Sequence, residues 1–123
     1  MSEKIVRSHH DLEVWKRSRA FVKTVYQLTK RFPKEEIFAL TSQMRRAAIS
    51  IPSNIAEGYS RHGIKDYIHF ISIAYGSSAE LETQILLAYD LDYLQEKDMS
   101  LLKELDQVQK MLYRLRQSLQ SKL

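Results

Sequence analysis

Leu101, Leu105, Val108, Leu112, Leu115 and Leu119 follow one another at steps of four, three, four, three and four residues, and nothing else in the chain restricts its fold so much. Apolar residues at that spacing return to one side of a 3.6-residue helix. Held for nearly three heptads, the stripe predicts a helix packed at a shallow angle against antiparallel neighbours. Leu102 and Met111 widen it. Such a helix needs partners, and three more stretches offer matching stripes. Phe21, Val25, Leu28 and Phe32 form one, flanked by Trp15, Val22 and Tyr26. Leu40, Met44, Ala47, Ile51 and Ile55 form another, with Ala48 and Ala56 small enough to let a neighbouring helix come close. The third runs through Ile64, Ile68, Ile71, Tyr75, Ser78, Leu81 or Glu82, Ile85 and Tyr89, and Tyr67, Phe70, Ile73, Ala74 and Ala88 give it a second side.

The intervals between stripes are short and carry helix-boundary chemistry. Asp11 is placed to cap the first helix, with Glu13 in its opening turn. Phe32-Pro33 closes that helix, and Pro33-Lys34-Glu35-Glu36 opens the next with two carboxylates at the positive end of its dipole. Ser60-Arg61-His62-Gly63 reads as a connection, with a left-handed cap at Gly58 or Gly63. Gln95-Glu96-Lys97-Asp98 is the last connection, with Asp98 or Ser100 as cap. The predicted class is all-α, an up-down-up-down antiparallel four-helix bundle with helices at 11–32, 35–60, 64–94 and 98–120. Residues 11–120 then form a single domain behind a flexible N-terminal arm, 1–10.

Two stretches complicate that outline. Pro52 lies inside the second stripe, where it removes a backbone donor and presses on the carbonyl of Ala48. The reading is a long kinked helix, with Asn54 capping a fresh helix above Glu57 as the alternative. Gly76-Ser77-Ser78-Ala79 interrupts the bulky side chains of the third helix, which suits a close helix crossing. That helix would span about 45 Å over roughly thirty residues. Its length and its wide apolar surface point to exposed ends or to a homo-oligomer, with Tyr75 and Tyr89 as candidate interface residues.

Composition settles broader questions. A chain of 123 residues that is 44% hydrophobic can bury one substantial core. It has no cysteine, which excludes disulfides, thiolate chemistry and Cys-ligated zinc. The first residues lack the apolar run of a signal peptide and no stretch resembles a membrane span, so the expectation is a cytoplasmic protein without membrane contact. Residues 1–62 hold 12 Lys/Arg against 6 Asp/Glu, and residues 63–123 hold 7 against 9. A basic leading half and an acidic trailing half suit either polyanion binding or complementary subunit surfaces.

Little in the chain supports catalysis. His62, Asp66 and His69 could share a helix face, but dimetal bundle sites repeat such a unit on two helices and add further glutamates. His9-His10-Asp11 lies in the arm. Glu80 and Glu82 face different ways and lack a catalytic partner; a bridge from Glu82 to Arg45 or Arg46 is the structural expectation. No Gly-x-Ser-x-Gly elbow and no glycine-rich phosphate loop occur. The expectation is a non-enzyme with no cofactor and no metal site. Lys16, Arg19 and Lys23, at steps of three and four, form a basic ridge on the first helix, which Arg17, Lys30, Arg31 and Lys34 extend. Lys110 and Arg114 form a shorter ridge on the fourth, and Arg45 and Arg46 lie on the second. Such ridges hold phosphates without reading bases. These seven residues, Lys16, Arg19, Lys23, Arg45, Arg46, Lys110 and Arg114, are the candidate nucleic-acid contacts. Solvated charge on amphipathic helices is the competing account.

Asp11-Leu12-Glu13-Val14-Trp15, Leu40-Thr41-Ser42-Gln43-Met44-Arg45-Arg46-Ala47-Ala48 and Ile51-Pro52-Ser53-Asn54-Ile55-Ala56-Glu57-Gly58 together resemble the protein family encoded by intervening sequences of bacterial 23S rRNA genes. Gly76-Ser77 and Glu80-Leu81-Glu82-Thr83 continue the likeness, which spans roughly Asp11 to Leu115. The resemblance implies a four-helix bundle that assembles as a homopentamer, and it carries over no catalytic residue. A more distant likeness is to the accessory variability protein of diversity-generating retroelements, which binds nucleic acid. It implies a reverse transcriptase partner only where a neighbouring gene encodes one. The functional expectation is a homo-oligomeric accessory factor that binds RNA or DNA backbone; the alternative is a structural or protein-interaction bundle without nucleic-acid binding.

Overall fold

All four stripes become helices. The computed structural model describes residues 8–123 and contains α1 (Glu13–Thr29), α2 (Leu40–Tyr59), α3 (Ile64–Asp90) and α4 (Leu101–Gln120), with short 3-10 turns at His9–Asp11, Lys34–Glu36 and Glu96–Ser100. They pack as an up-down-up-down antiparallel bundle in which α2 meets α3 along the longest seam and α1 meets α4 along the shortest. Residues 1–7, most of the expected arm, lie outside the described residues.

The stripes supply the core with small shifts of register. In α1 the buried seam runs through Val14, Ser18, Phe21, Val25 and Thr29, while Leu28 is half-buried. Ser18 and Thr29 are tolerated inside because their hydroxyls donate to the carbonyls of Trp15 (3.0 Å) and Val25 (2.8 Å). Met44, Ala47, Ala48, Ile51 and Ile55 line the α2 side. Leu101, Leu105, Val108, Leu112 and Leu119 are buried in α4, as the heptad steps require. In α3 the seam takes Leu81 and leaves Glu82 exposed. Ala74, Gln84 and Ala88 complete it, and Tyr89 stands outside.

Helix ends depart most from expectation. The α1 cap position falls not at Asp11, which belongs to the preceding 3-10 turn, but at Leu12, in extended backbone and with no side-chain cap. Helix α1 stops at Thr29 rather than Phe32, since a residue before proline disfavours helical backbone and Phe32 precedes Pro33. Phe32 still packs its ring 5.3 Å from that of Tyr93. Helix α2 begins at Leu40, five residues later than expected. Lys34–Glu36 closes on itself as a 3-10 turn and Ala39 (φ −124°, ψ −107°) leaves the helical region. The Glu36 carboxylate accepts the Leu40 N–H at 3.3 Å and so acts as the α2 cap from four residues back.

Helix α2 continues unbroken through Pro52, so Asn54 starts no new helix. Its amide donates instead to the Ser50 carbonyl at 2.8 Å and hydroxyl at 2.9 Å, one turn back. Neither Gly58 nor Gly63 is left-handed: Ser60 closes α2 in helical backbone and Gly63 opens α3 extended. Among the described residues the left-handed one is Asp92, with φ 65°. It ends α3 at Asp90 rather than at 94, in a Schellman arrangement: the Tyr93 N–H reaches the Ala88 carbonyl (2.9 Å) and the Asp92 N–H that of Tyr89 (3.0 Å).

Asp98 then joins the two connections at that end of the bundle. Its carboxylate accepts the Gln95 N–H at 2.8 Å and the Arg31 guanidinium at 2.9 Å. The Gln95 N–H, assisted by Arg31, holds its carboxyl below the usual carboxylate range. A depressed folded-state value contributes stability above the unfolded value, near 4, and loses it as pH falls through the folded one. Asp98→Ala is therefore expected to cost about 1 kcal/mol at pH 7, with the gap to wild type closing below about pH 4. Urea titrations at pH 7 and pH 3 check this. Helix α4 itself starts at Leu101, because residues 96–100 form a 3-10 turn and Ser100 makes no side-chain cap.

Candidate nucleic-acid interface

The outer face of α1 follows from the burial of its inner one. With Val14, Phe21 and Val25 turned inward, Lys16, Arg19 and Lys23 project into solvent, and none has a carboxylate within 4 Å among the described residues. Other cations are engaged. Arg17 pairs with Glu13 at 3.5 Å, Arg31 with Asp98, Arg61 with Glu57, and Lys110 with Asp106 at 2.9 Å. At the start of the ridge the His9–Asp11 turn brings two imidazoles against Trp15, with ring centroids 5.1 Å (His9) and 4.8 Å (His10) away. The Arg19 guanidinium lies 5.4 Å from the Trp15 ring centre. His10, Trp15, Lys16 and Arg19 line a shallow surface depression there.

The other candidates do not join that face. Arg45 turns into the α1–α2 seam, donating to the Thr29 hydroxyl at 2.9 Å with its guanidinium 4.5 Å over the Tyr26 ring. It does not bridge to Glu82, which accepts instead from Gln109 at 3.0 Å. Arg46 overlies the α2–α3 groove beside Ser50, Ser77 and Glu80. Lys110 and Arg114 flank a depression between α3 and α4 with Tyr75 and Tyr113. The seven residues thus divide among separate places on the bundle, and Arg45 is half-buried.

This geometry has a family. The profile of the 23S rRNA-intervening sequence protein family matches residues 10–114. The chain belongs to that family. No curated protein matches it. Among solved structures it is similar to a protein of unknown function from the S23 ribosomal protein family of Bacteroides thetaiotaomicron VPI-5482, determined at 1.70 Å. The TM-score is 0.78 at 24% identity, over 85% of this chain and 95% of that one. At that identity the likeness establishes the shared bundle.

Part of the motifs that carry the family likeness faces inward, while Arg46, Ser53 and Glu57 within them are exposed. Gly58, which ends the Ser-Asn-Ile-Ala-Glu-Gly run, sits where α2 crosses α3: a Cβ there would lie 3.0 Å from Phe70 Cβ, 3.0 Å from Tyr67 Cδ1 and 3.3 Å from the Tyr67 carbonyl oxygen. Burial, with Tyr59 nearby, pushes the Tyr67 phenol up to about 12, so it stays neutral. The close approach expected at Gly76 is absent, since nothing lies within 4 Å of a Cβ there. Only its neighbours meet α2 or the core: the Ser77 hydroxyl touches that of Ser50 at 2.8 Å, and Ser78 is fully buried.

The two tyrosines expected at an interface already have partners in their own chain. Tyr75 lies 4.7 Å beneath the Arg116 guanidinium, and the Tyr89 hydroxyl donates to Glu96 at 2.7 Å. His62, Asp66 and His69 are all exposed, and among the described residues no three metal-ligating side chains gather. No helix among those residues is long and apolar enough to cross a membrane. Sequence reading missed the His9/His10/Trp15 cluster; the signal was two adjacent histidines five residues before a tryptophan. It also missed the exposure of Phe38.

Proposed function

We propose that this member of the family is a homo-oligomeric, non-enzymatic bundle that binds the backbone of RNA or DNA along the outer face of α1. The observation that carries this reading is the set of solvated cations Lys16, Arg19 and Lys23 on one helix face, without a carboxylate partner among the described residues. Cations spaced along a helix contact successive phosphates without reading bases. The rings of His9, His10 and Trp15 at the end of the ridge suit unpaired bases, which stack on aromatic faces irrespective of sequence. Single-stranded RNA is therefore the first ligand to test. The pentamer that the family resemblance implies is the state of assembly in this reading, and the cytoplasm its location.

Titrating a fluorescent single-stranded RNA at several salt concentrations tests this directly. Three phosphate contacts per chain predict that log K falls against log salt with a slope of about −2 per bound chain, whatever the base sequence. Retained affinity without salt dependence would reject it. The alternative, a bundle that acts only through protein contacts, draws support from exposed apolar side chains such as Ile37, Phe38, Leu87 and Leu91, and predicts no RNA binding at physiological salt.

A further inference from the structure

The late start of α2 leaves the end of α3 without a helix beside it. Ser50 on α2 touches Ser77 on α3 and the two run antiparallel, so counting from 50 back to 40 and from 77 on to 87 puts Leu40 level with Leu87. Helix α3 continues to Asp90, past the first residue of α2, with the Pro33–Ala39 connection for a neighbour. Leu87 and Leu91, one turn apart, are consequently 47% and 52% exposed. With Ala39 and Leu40 they wall a groove; Gln84 lines its inner side, and Glu36 and Asp90 stand at its rim. Phe38, 96% exposed, precedes Ala39 directly on the connection. Solvated apolar surface gathered at one place marks a contact site rather than ordinary scatter.

This end of the bundle is acidic, although the chain as a whole carries +4. The stretches 34–36 and 90–98 meet here and hold six carboxylates against two lysines. Glu35, Glu36, Asp90 and Asp92 have no cation within 4 Å among the described residues. Both tyrosines at this end register the charge. A hydrogen bond to Glu96, together with the charges of Glu96, Asp90 and Asp92, raises the Tyr89 phenol above its ordinary value, and burial, Glu36 and Glu35 do the same to Tyr93. An apolar groove edged by uncompensated carboxylates complements a ligand that is apolar along its middle and cationic at its margins.

We infer that this groove receives an amphipathic helix of another protein, one with apolar side chains at three- and four-residue steps and lysine or arginine on its flanks. The apolar stripe lies against Leu40, Leu87 and Leu91, and the flanking cations face Glu36 and Asp90. A helix suits the place because Gln84, Leu87 and Leu91 step by three and four along α3, the spacing at which helical anchors fit a helical groove. Cationic flanks fix the direction of docking and exclude acidic helices that apolar contact alone would admit. The same carboxylates repel nucleic acid. A second copy fits poorly through its own exposed pair, Ile37 and Phe38, since Glu35 and Glu36 would come with them to the acidic rim. The partner is therefore a different polypeptide, and the cationic ridge on α1 takes no part in holding it.

Selection from a phage-displayed library of random peptides, followed by anisotropy titration of the fluorescently labelled binders against wild type, Leu87→Arg and Asp90→Lys, tests this. The expected result is enrichment of peptides with apolar residues at helical spacing and Lys/Arg flanks. Their affinity should fall about tenfold or more in each variant and decline as salt is added. Enrichment of peptides with acidic or uncharged flanks would overturn the inference, as would a selection that yields no binder. Affinity left unchanged by Asp90→Lys, or by a folded Leu87→Arg, would overturn it too. Asp90 is exposed at the C-terminal end of α3, where a cation is favoured, so Asp90→Lys keeps the fold and remains informative whatever Leu87→Arg does. Light scattering of the same proteins reads the remaining outcome: an oligomer that either substitution dissociates would put a second copy in the groove and overturn the assignment to a different partner.

Discussion

Gly58→Leu is expected to lower the melting temperature by at least ten degrees, while Gly76→Ala raises it by a few. Both glycines lie inside helices, where alanine is preferred by about 1 kcal/mol. At Gly76 a Cβ would enter open space, so that preference acts unopposed. At Gly58 it would meet Phe70 Cβ and Tyr67 Cδ1 at 3.0 Å and a carbonyl oxygen at 3.3 Å. The first and last of these atoms are fixed to the α3 backbone and do not turn aside by a rotamer change. Overpacking of this kind costs about 1–3 kcal/mol for a small group, which exceeds the propensity gain. Gly58→Ala should thus be destabilising by about 1 kcal/mol and Gly58→Leu by about 3 or more, at some 3–5 °C per kcal/mol for a chain of this size. Thermal melts of the three variants measure this. If Gly58→Ala and Gly76→Ala shifted the melting temperature by equal amounts in the same direction, the close α2–α3 crossing would not be the reason for glycine at position 58.

The second large effect concerns the ligand. Simultaneous Lys16→Glu, Arg19→Glu and Lys23→Glu is expected to weaken RNA binding roughly 100-fold at low salt and to flatten the salt slope. At ~1 kcal/mol for each solvated phosphate contact, three contacts amount to about two decades of affinity. The three side chains are exposed and lack carboxylate partners among the described residues, so the melting temperature should change little. Fluorescence anisotropy beside circular dichroism separates the two readouts. Unchanged affinity would move the phosphate contacts to Arg46 or to Lys110 and Arg114.

How much of this was legible in the sequence depended on the range of the interaction involved. Helical stripes are local and periodic, so Met44, Ile51, Ile85 and Leu112 could be assigned to the core from spacing alone. Helix ends were less readable because their caps come from unexpected places. Glu36 reaches forward to Leu40, and Asp92 turns left-handed where glycine is the usual choice. The basic ridge on α1 was visible because its three members share a face of one helix. The fate of Arg45 was not: whether an arginine points to solvent or lies over Tyr26 depends on which helix stands beside it. The same holds for Gly58 and Gly76, whose sequence contexts do not reveal which one lies beneath a neighbouring backbone.

The inward placement of Arg45 and Gly58 separates inheritance of shape from choice of ligand. A chain that keeps these two residues keeps the crossing of α2 with its neighbours. It can meanwhile exchange every charge on the outside of α1 without moving a helix. Likeness at these two positions is a record of scaffold ancestry, and by itself it says nothing of what each descendant grips.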